Sequence, residues 1–141
     1  MKKILIVDRY SSVRELLAED LAAEGNTVVP IGNPKLIQNF IHSLAPHLII
    51  LDPFMDGKWQ WNLLKEIKKE NPGLPILIFT ANRLQGDQRQ LLADGWVMKS
   101  FIFDALKEKI NGILNDPLRG DYATDRSIPG STGAQRREEI S

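Results

Sequence analysis

The chain reads as a doubly wound α/β domain built on a five-stranded parallel sheet. Three observations carry that reading. Short apolar runs rich in β-branched residues alternate with longer segments of helical period, the pattern of buried parallel strands joined by crossover helices. Ser, Asn, Pro, Gly and Asp punctuate the chain where the period changes. Four of the runs also end on a polar residue: Asp8 after Ile4–Val7, Asp52 after Leu48–Leu51, Thr80 after Ile76–Phe79 and Lys99 after Trp96–Met98. Right-handed crossovers place helices on both faces of such a sheet. Ligands bind beyond the carboxyl ends of its strands, so two acids, a hydroxyl and an ammonium are expected to converge on one crevice.

Each element has its own local cause. Ile4–Val7 is the first strand. Ser11 or Ser12 is positioned to cap a helix running to about Glu24, and Ser12 with Glu15 has capping-box spacing. Val13, Leu16, Leu17 and Leu21 form its apolar face, and Gly25-Asn26 ends it. Thr27–Ile31 is the second strand. Asn33 then caps a second helix with Pro34 at its first position, and Leu36, Ile37, Phe40, Ile41 and Leu44 form its stripe. Leu48–Leu51 is the third strand. A third helix spans Trp59 to about Glu70 and is closed by Asn71-Pro72-Gly73. On it Trp59 and Trp61 are expected to point to different faces, with Asp56 as N-cap. Ile76–Phe79 is the fourth strand, and a weaker helix covers about Asp87–Ala93 before Asp94-Gly95. Trp96–Met98 is a short fifth strand. The fifth helix runs from about Phe103 to Leu114, with Leu106, Ile110, Ile113 and Leu114 inward.

Composition bounds the function. The 141 residues fit one domain over residues 1–116, followed by a polar tail over 117–141. The tail is rich in Gly, Ser, Asp and Arg, its few apolar residues show no period, and it is expected to be disordered. Eighteen Lys+Arg balance eighteen Asp+Glu, which argues against direct nucleic-acid contact. The absence of cysteine excludes disulfides, thiol catalysis and Cys-ligated zinc. His42 and His47 are read as surface residues. Met-Lys-Lys precedes only four apolar residues, too short for a signal-peptide core, and no run approaches the ~20 residues that span a bilayer. A cytoplasmic protein without membrane association is expected.

The crevice has a definite chemistry. Asp52 leaves a buried strand, and a carboxylate so placed can act as a nucleophile and form an acyl phosphate. That requires a cation and donors aimed at the phosphoryl oxygens. Lys99 is a compact charge suited to one oxygen and the Thr80 hydroxyl to another. The backbone amides of Phe54 and Ala81 complete the cradle, and Asp8 is placed to hold Mg²⁺, a hard cation that takes one or two carboxylates with phosphate and water.

Ile-Leu-Ile-Val-Asp8, Leu-Ile-Ile-Leu-Asp52, Ile-Phe-Thr80-Ala81 and Lys99-Ser-Phe101 resemble the signature of response-regulator receiver domains, the CheY-like phosphoacceptors of two-component signalling. The resemblance covers about residues 2–115. It implies a flavodoxin-like sheet of order 2-1-3-4-5 and a phosphoryl group on Asp52, received from a histidine kinase or phosphotransfer protein. It further implies Mg²⁺ on Asp8, Asp52 and the backbone carbonyl of Phe54, with Thr80, Ala81 and Lys99 on the phosphoryl group. Trp96 stands where the family has a Tyr or Phe that turns inward on activation. The face made by helix 4, strand 5 and helix 5 would carry the signal to a downstream protein or to a second copy in a homodimer.

Three departures bear on that expectation. The family's second acid after the first strand is Arg9, a permanent cation expected to modify the pocket by lying over Asp52 or Asp8 and weakening Mg²⁺ binding, or else to point to solvent. The loop Asp52-Pro-Phe-Met55-Asp56-Gly57 is short, as if Pro-x-Met were deleted. Ser100 replaces the usual Pro; a cis bond before a non-proline costs about 3–4 kcal/mol, so Lys99–Ser100 is expected trans, with Lys99 displaced from the crevice. These departures keep a second reading open, a degenerate receiver that binds a partner without phosphate. A haloacid-dehalogenase-like phosphatase needs a second Asp where Phe54 stands, and an FMN module lacks its glycine in Arg9-Tyr10-Ser11-Ser12.

Overall fold

The computed structural model describes residues 1–83 and 93–115. Its elements are β1 (Lys3–Val7), α1 (Ser11–Ala23), β2 (Thr27–Ile31), a 3-10 turn (Pro34–Leu36), α2 (Ile37–Leu44), β3 (Leu48–Leu51), β4 (Phe54–Met55), β5 (Lys58–Trp59), α3 (Trp61–Glu70), β6 (Ile76–Thr80), β7 (Gly95–Met98) and α4 (Asp104–Leu114). Five strands form one parallel sheet of order β2-β1-β3-β6-β7, the expected 2-1-3-4-5 once the hairpin β4–β5 is set apart. The expected helix over 87–93 falls outside the described residues except for Ala93, and the tail over 117–141 lies wholly outside them. Among the described residues no helix is long and apolar enough to cross a membrane.

The sheet is buried on both faces because side chains alternate along each strand. Ile4, Ile6, Leu48, Ile50, Leu77 and Phe79 face α1 and α4, packing with Val13, Leu17 and Leu21 and with Leu106, Ile110 and Ile113. Leu5, Val7, Ile49, Leu51, Ile76 and Ile78 face α2 and α3, packing with Ile37, Ile41, Leu64 and Ile67. Runs that are apolar at every position therefore supply both cores at once. Pro30 sits in β2, an edge strand, where a missing ladder donor is tolerated. Register aligns the strand ends: Val7 is level with Leu51 and Ile31, Leu51 with Ile78, and Thr80 with Met98.

Local expectations hold in part. Asn33 caps the 3-10 turn, its side chain accepting the Lys35 amide at 3.0 Å with Pro34 next. Neither Ser11 nor Ser12 caps α1: the N-cap is Tyr10, without a side-chain cap bond. Leu16 is 44% exposed, on the outer side of α1 rather than with Leu17 and Leu21. The third helix begins at Trp61. Trp59 belongs to β5, and the two indoles stack at 5.0 Å and 11° instead of diverging. The N-cap of α3 is Gln60, and Asp56 sits in the hairpin turn.

Candidate functional site

The aligned strand ends bring Asp8, Asp52, Thr80 and Lys99 into one crevice. The first three are each 3% exposed, and the Lys99 side chain is 10% exposed. Lys99 Nζ bridges the two acids, 2.6 Å from Asp52 Oδ2 and 2.8 Å from Asp8 Oδ2. The second oxygen of each carboxylate takes a backbone amide two residues on: Tyr10 N–H donates to Asp8 Oδ1 at 2.8 Å, and Phe54 N–H to Asp52 Oδ1 at 3.0 Å. Such Asx turns explain why α1 dispenses with a serine cap: the acid at the end of β1 has already organised the entry to the helix.

Lys99 is fixed from its backbone as well, its N–H donating to the Thr80 carbonyl at 2.7 Å. Its ammonium also lies 5.1 Å from the centroid of the exposed Tyr10 ring, within cation–π range. No peptide bond among the described residues is cis, so Lys99–Ser100 is trans as expected, yet Lys99 is not displaced. Two buried carboxylates outweigh the altered linkage. The Thr80 hydroxyl accepts the Asn82 amide at 3.3 Å, and Ala81 follows at the exposed rim.

The electrostatics follow from burial. Desolvation raises the Asp8 carboxyl above its ordinary value, against the pull of Lys99 and of the Tyr10 amide. For Lys99 burial works the other way and would lower the ammonium, but hydrogen bonds and charge from Asp52 and Asp8 together hold it above its ordinary value. Two carboxylates and one ammonium leave one negative charge uncompensated. Among the described residues there is no cluster of three or more acidic, His or Cys side chains that would hold a metal. A cation here would rely on two carboxylates and backbone oxygen.

The short segment after Asp52 is a hairpin. Asp56 and Gly57 have φ of 54° and 80°, the two positive values a type I′ turn needs. Gln60 N–H donates to the Pro53 carbonyl at 2.9 Å, so Phe54 and Trp59 form a pair that is not hydrogen-bonded to each other. The Phe54 amide and carbonyl therefore both face away from Trp59, on the side where the amide meets Asp52. Asp-Gly between residues of strand propensity is the signal that sequence reasoning missed.

Arg9 does not lie over Asp8 or Asp52. It turns to the hairpin, Nη2 3.2 Å from Asp56 Oδ1 and Nη1 donating to Asp56 Oδ2 at 3.3 Å, with both side chains substantially exposed. Trp96 is half-buried in β7, opposite Ile78, and packs on the α2–α3 side of the sheet. His42 and His47 are exposed, and His47 Nδ1 accepts the Lys3 amide at 3.0 Å.

Comparison with known proteins gives one answer. The response regulator receiver domain family matches residues 4–111. Response regulator protein TrrA from Thermotoga maritima, solved in complex with Mg²⁺–BeF, is 36% identical with a TM-score of 0.70, over 81% of this chain and 100% of that one. In a structure of histidine kinase ThkA in complex with TrrA, the matching chain is also 36% identical, with a TM-score of 0.71, over 81% of this chain and 99% of that one. The probable transcriptional regulator ycf27 of Guillardia theta is 28% identical over 92% of this chain and 52% of its own length; that of Galdieria sulphuraria is 31% identical over 80% and 45%. The chain thus spans about half the length of the curated relatives it matches. It belongs to the family of response regulator receiver domains of two-component signalling, which are signalling domains rather than enzymes.

Proposed function

We propose that Asp52 accepts a phosphoryl group from the phosphohistidine of a histidine kinase or phosphotransfer protein. A carboxylate oxygen of Asp52 attacks phosphorus, the P–N bond breaks, and its electron pair returns to the imidazole, leaving an acyl phosphate. The observation that carries this reading is the Lys99 bridge: an ammonium 2.6 Å from Asp52 and 2.8 Å from Asp8, on a residue whose backbone N–H is anchored to the Thr80 carbonyl, where a phosphoryl oxygen on Asp52 would meet it. The Thr80 hydroxyl and the Ala81 amide offer further donors at the same strand end. The neighbouring kinase complex supports a kinase as donor.

The donor set fits Mg²⁺, with Asp8, Asp52 and the Phe54 carbonyl as hard oxygen ligands. When bound, the metal supplies charge neutralisation for the phosphoryl oxygens. Arg9 modifies this pocket by removing an acid: one ligand fewer and one cation more make Mg²⁺ binding weak. The Mg²⁺–BeF complex of TrrA supports the metal assignment. Tyr10, Phe101 and Ile102 are 61%, 62% and 74% exposed beside the crevice and give a donor protein apolar purchase close to Asp52. Output passes to a downstream protein, or to a second copy, through the face of β7, α4 and the helix expected over 87–93, with Trp96 as the switch aromatic. We place the protein in the cytoplasm, with no direct nucleic-acid contact by this domain.

Incubation with Mg²⁺ and acetyl phosphate tests the reading through intact mass. Wild type is expected to gain one phosphoryl mass, lost with chelator and absent in Asp52→Asn. Failure with both acetyl phosphate and a phosphorylated phosphotransfer protein would overturn it in favour of a phosphate-independent binding module, the reading that the departures at Arg9, Ser100 and the short loop after Asp52 left open in the sequence.

A further inference from the structure

One side chain outside the crevice reaches the backbone of its first acid. Arg14, in the first turn of α1, donates from Nη1 to the Asp8 carbonyl at 2.6 Å, and its side chain is only 17% exposed. The guanidinium lies against Gly32, the residue just after β2. A Cβ built on Gly32 would stand 2.6 Å from Arg14 Nη1, too close to keep, and a tight 3.2 Å from its Cζ, so the tip of the guanidinium would have to move aside. Gly32 thus leaves a slot, and Arg14 fills it. On the other side, Asp8 N–H donates to the Ile31 carbonyl at 3.1 Å, so the ends of β1 and β2 and the start of α1 are tied at one residue, through the peptides on either side of it.

We propose that Arg14, seated in the slot left by Gly32, is a positioning residue for Asp8. The mechanism is local. The Asp8 carbonyl belongs to the peptide that begins the Asx turn, and the turn closes when Tyr10 N–H reaches Asp8 Oδ1. A charge-assisted bond from a half-enclosed guanidinium fixes that peptide's rotation. It thereby fixes where the carboxylate points, toward Lys99 and the cation. Released, the carbonyl rotates, the turn loosens and the carboxylate loses its aim. The inference rests on the reading of Asp8 as a Mg²⁺ ligand for its metal consequence, but not for its effect on the turn.

Four proteins decide it: wild type, Arg14→Met, Gly32→Ala and the double variant. Mg²⁺ affinity is read by titration calorimetry, the Tyr10 amide by hydrogen exchange, and folding by thermal melts. Loss of a group that orients a metal ligand costs about 10–100-fold in affinity. Arg14→Met is expected to weaken Mg²⁺ by about 10-fold and to speed Tyr10 exchange. Gly32→Ala should do the same, because its methyl pushes aside Arg14 Nη1, the atom that donates to the Asp8 carbonyl. The double variant should be no worse than either single, since both remove one interaction. Mg²⁺ affinity and Tyr10 exchange that stay at wild-type values in Arg14→Met would overturn the proposal, as would strictly additive losses. If wild type itself bound no Mg²⁺, the metal reading would fall, and Tyr10 exchange would still decide the role of Arg14.

Discussion

Lys99→Met removes a charge from the crevice while keeping much of the side chain's length. In the native site the ammonium stands 2.6 Å and 2.8 Å from two carboxylates that are each 3% exposed. At an effective dielectric of about 20, each contact is an attraction of about 6 kcal/mol. Desolvation of the three ions offsets most of it, so the pair as a whole adds little net stability. Breaking it is another matter, because two like charges remain buried without a partner. Loss of one partner of a buried pair costs about 3–5 kcal/mol, a fifth or more of the stability of an ordinary domain. For a domain of this size that is a fall in Tm of about 12–20 °C at neutral pH. Urea unfolding followed by far-ultraviolet circular dichroism gives the free energy directly. Adding Asp8→Asn should restore part of the loss, since only one buried anion is then left. The deficit should also shrink on acidification. Burial already holds the Asp8 carboxyl above its ordinary value against the pull of Lys99, and that lift grows without Lys99; the stability carried by the protonated carboxyl is fully present below the unfolded value and lost as pH rises through the folded one. A Lys99→Met protein within about 0.5 kcal/mol of wild type, or one equally destabilised in acid and at neutrality, would refute the reasoning.

Asp8→Asn alone is expected to stabilise the protein at neutral pH. Burial holds the Asp8 carboxyl above 3.8, so its ionisation costs folding energy that is absent below that pH and grows as pH rises through the folded value; the gain in Asp8→Asn should fade in acid, as thermal melts across pH will show. Arg9→Asp restores an acid beside Asp8, and calorimetry should find Mg²⁺ affinity raised by about 10-fold, while the exposed Arg9–Asp56 pair it removes changes stability by less than about 1 kcal/mol. Gly57→Ala forces a side chain onto a φ of 80° in the hairpin turn, which costs about 1–2 kcal/mol in urea unfolding.

Much of this site was legible because parallel strands in register turn sequence position into spatial position. Asp8 and Asp52 follow Val7 and Leu51, which are level in the sheet, so reading where the apolar runs stop was enough to bring the acids together. What escaped were the places where a tertiary partner overruled a local rule. Ser12 and Glu15 have capping-box spacing, but the helix starts earlier, at Ser11 with Tyr10 as N-cap, so both serines lie inside its first turn and not at its cap. Trp59 carries helical spacing into α3, yet the Asp56-Gly57 turn drew it into β5 and onto Phe54, 5.1 Å away edge to face. Ser100 suggested a displaced Lys99, and the two carboxylates held it in place. Arg9 sits beside Asp8 in the chain, but Asp56 brought up by the hairpin gave it an exposed partner that costs less to approach than a buried acid. Of these, only the hairpin has a signature in the flanking residues, the Asp56-Gly57 pair; the contacts of Lys99 and Arg9 depend on partners distant in the chain.

Signalling by this domain would turn on a phosphoryl group carried by Asp52. Borohydride reduces an acyl phosphate to the alcohol and leaves a free carboxylate untouched, so it marks the acceptor permanently. Treatment of the protein after exposure to Mg²⁺ and a phosphodonor, followed by peptide mass mapping, should convert Asp52 to homoserine and leave Asp8 and Asp56 intact. Conversion at another acid, or none at Asp52 under conditions where intact mass records a phosphoryl gain, would contradict it.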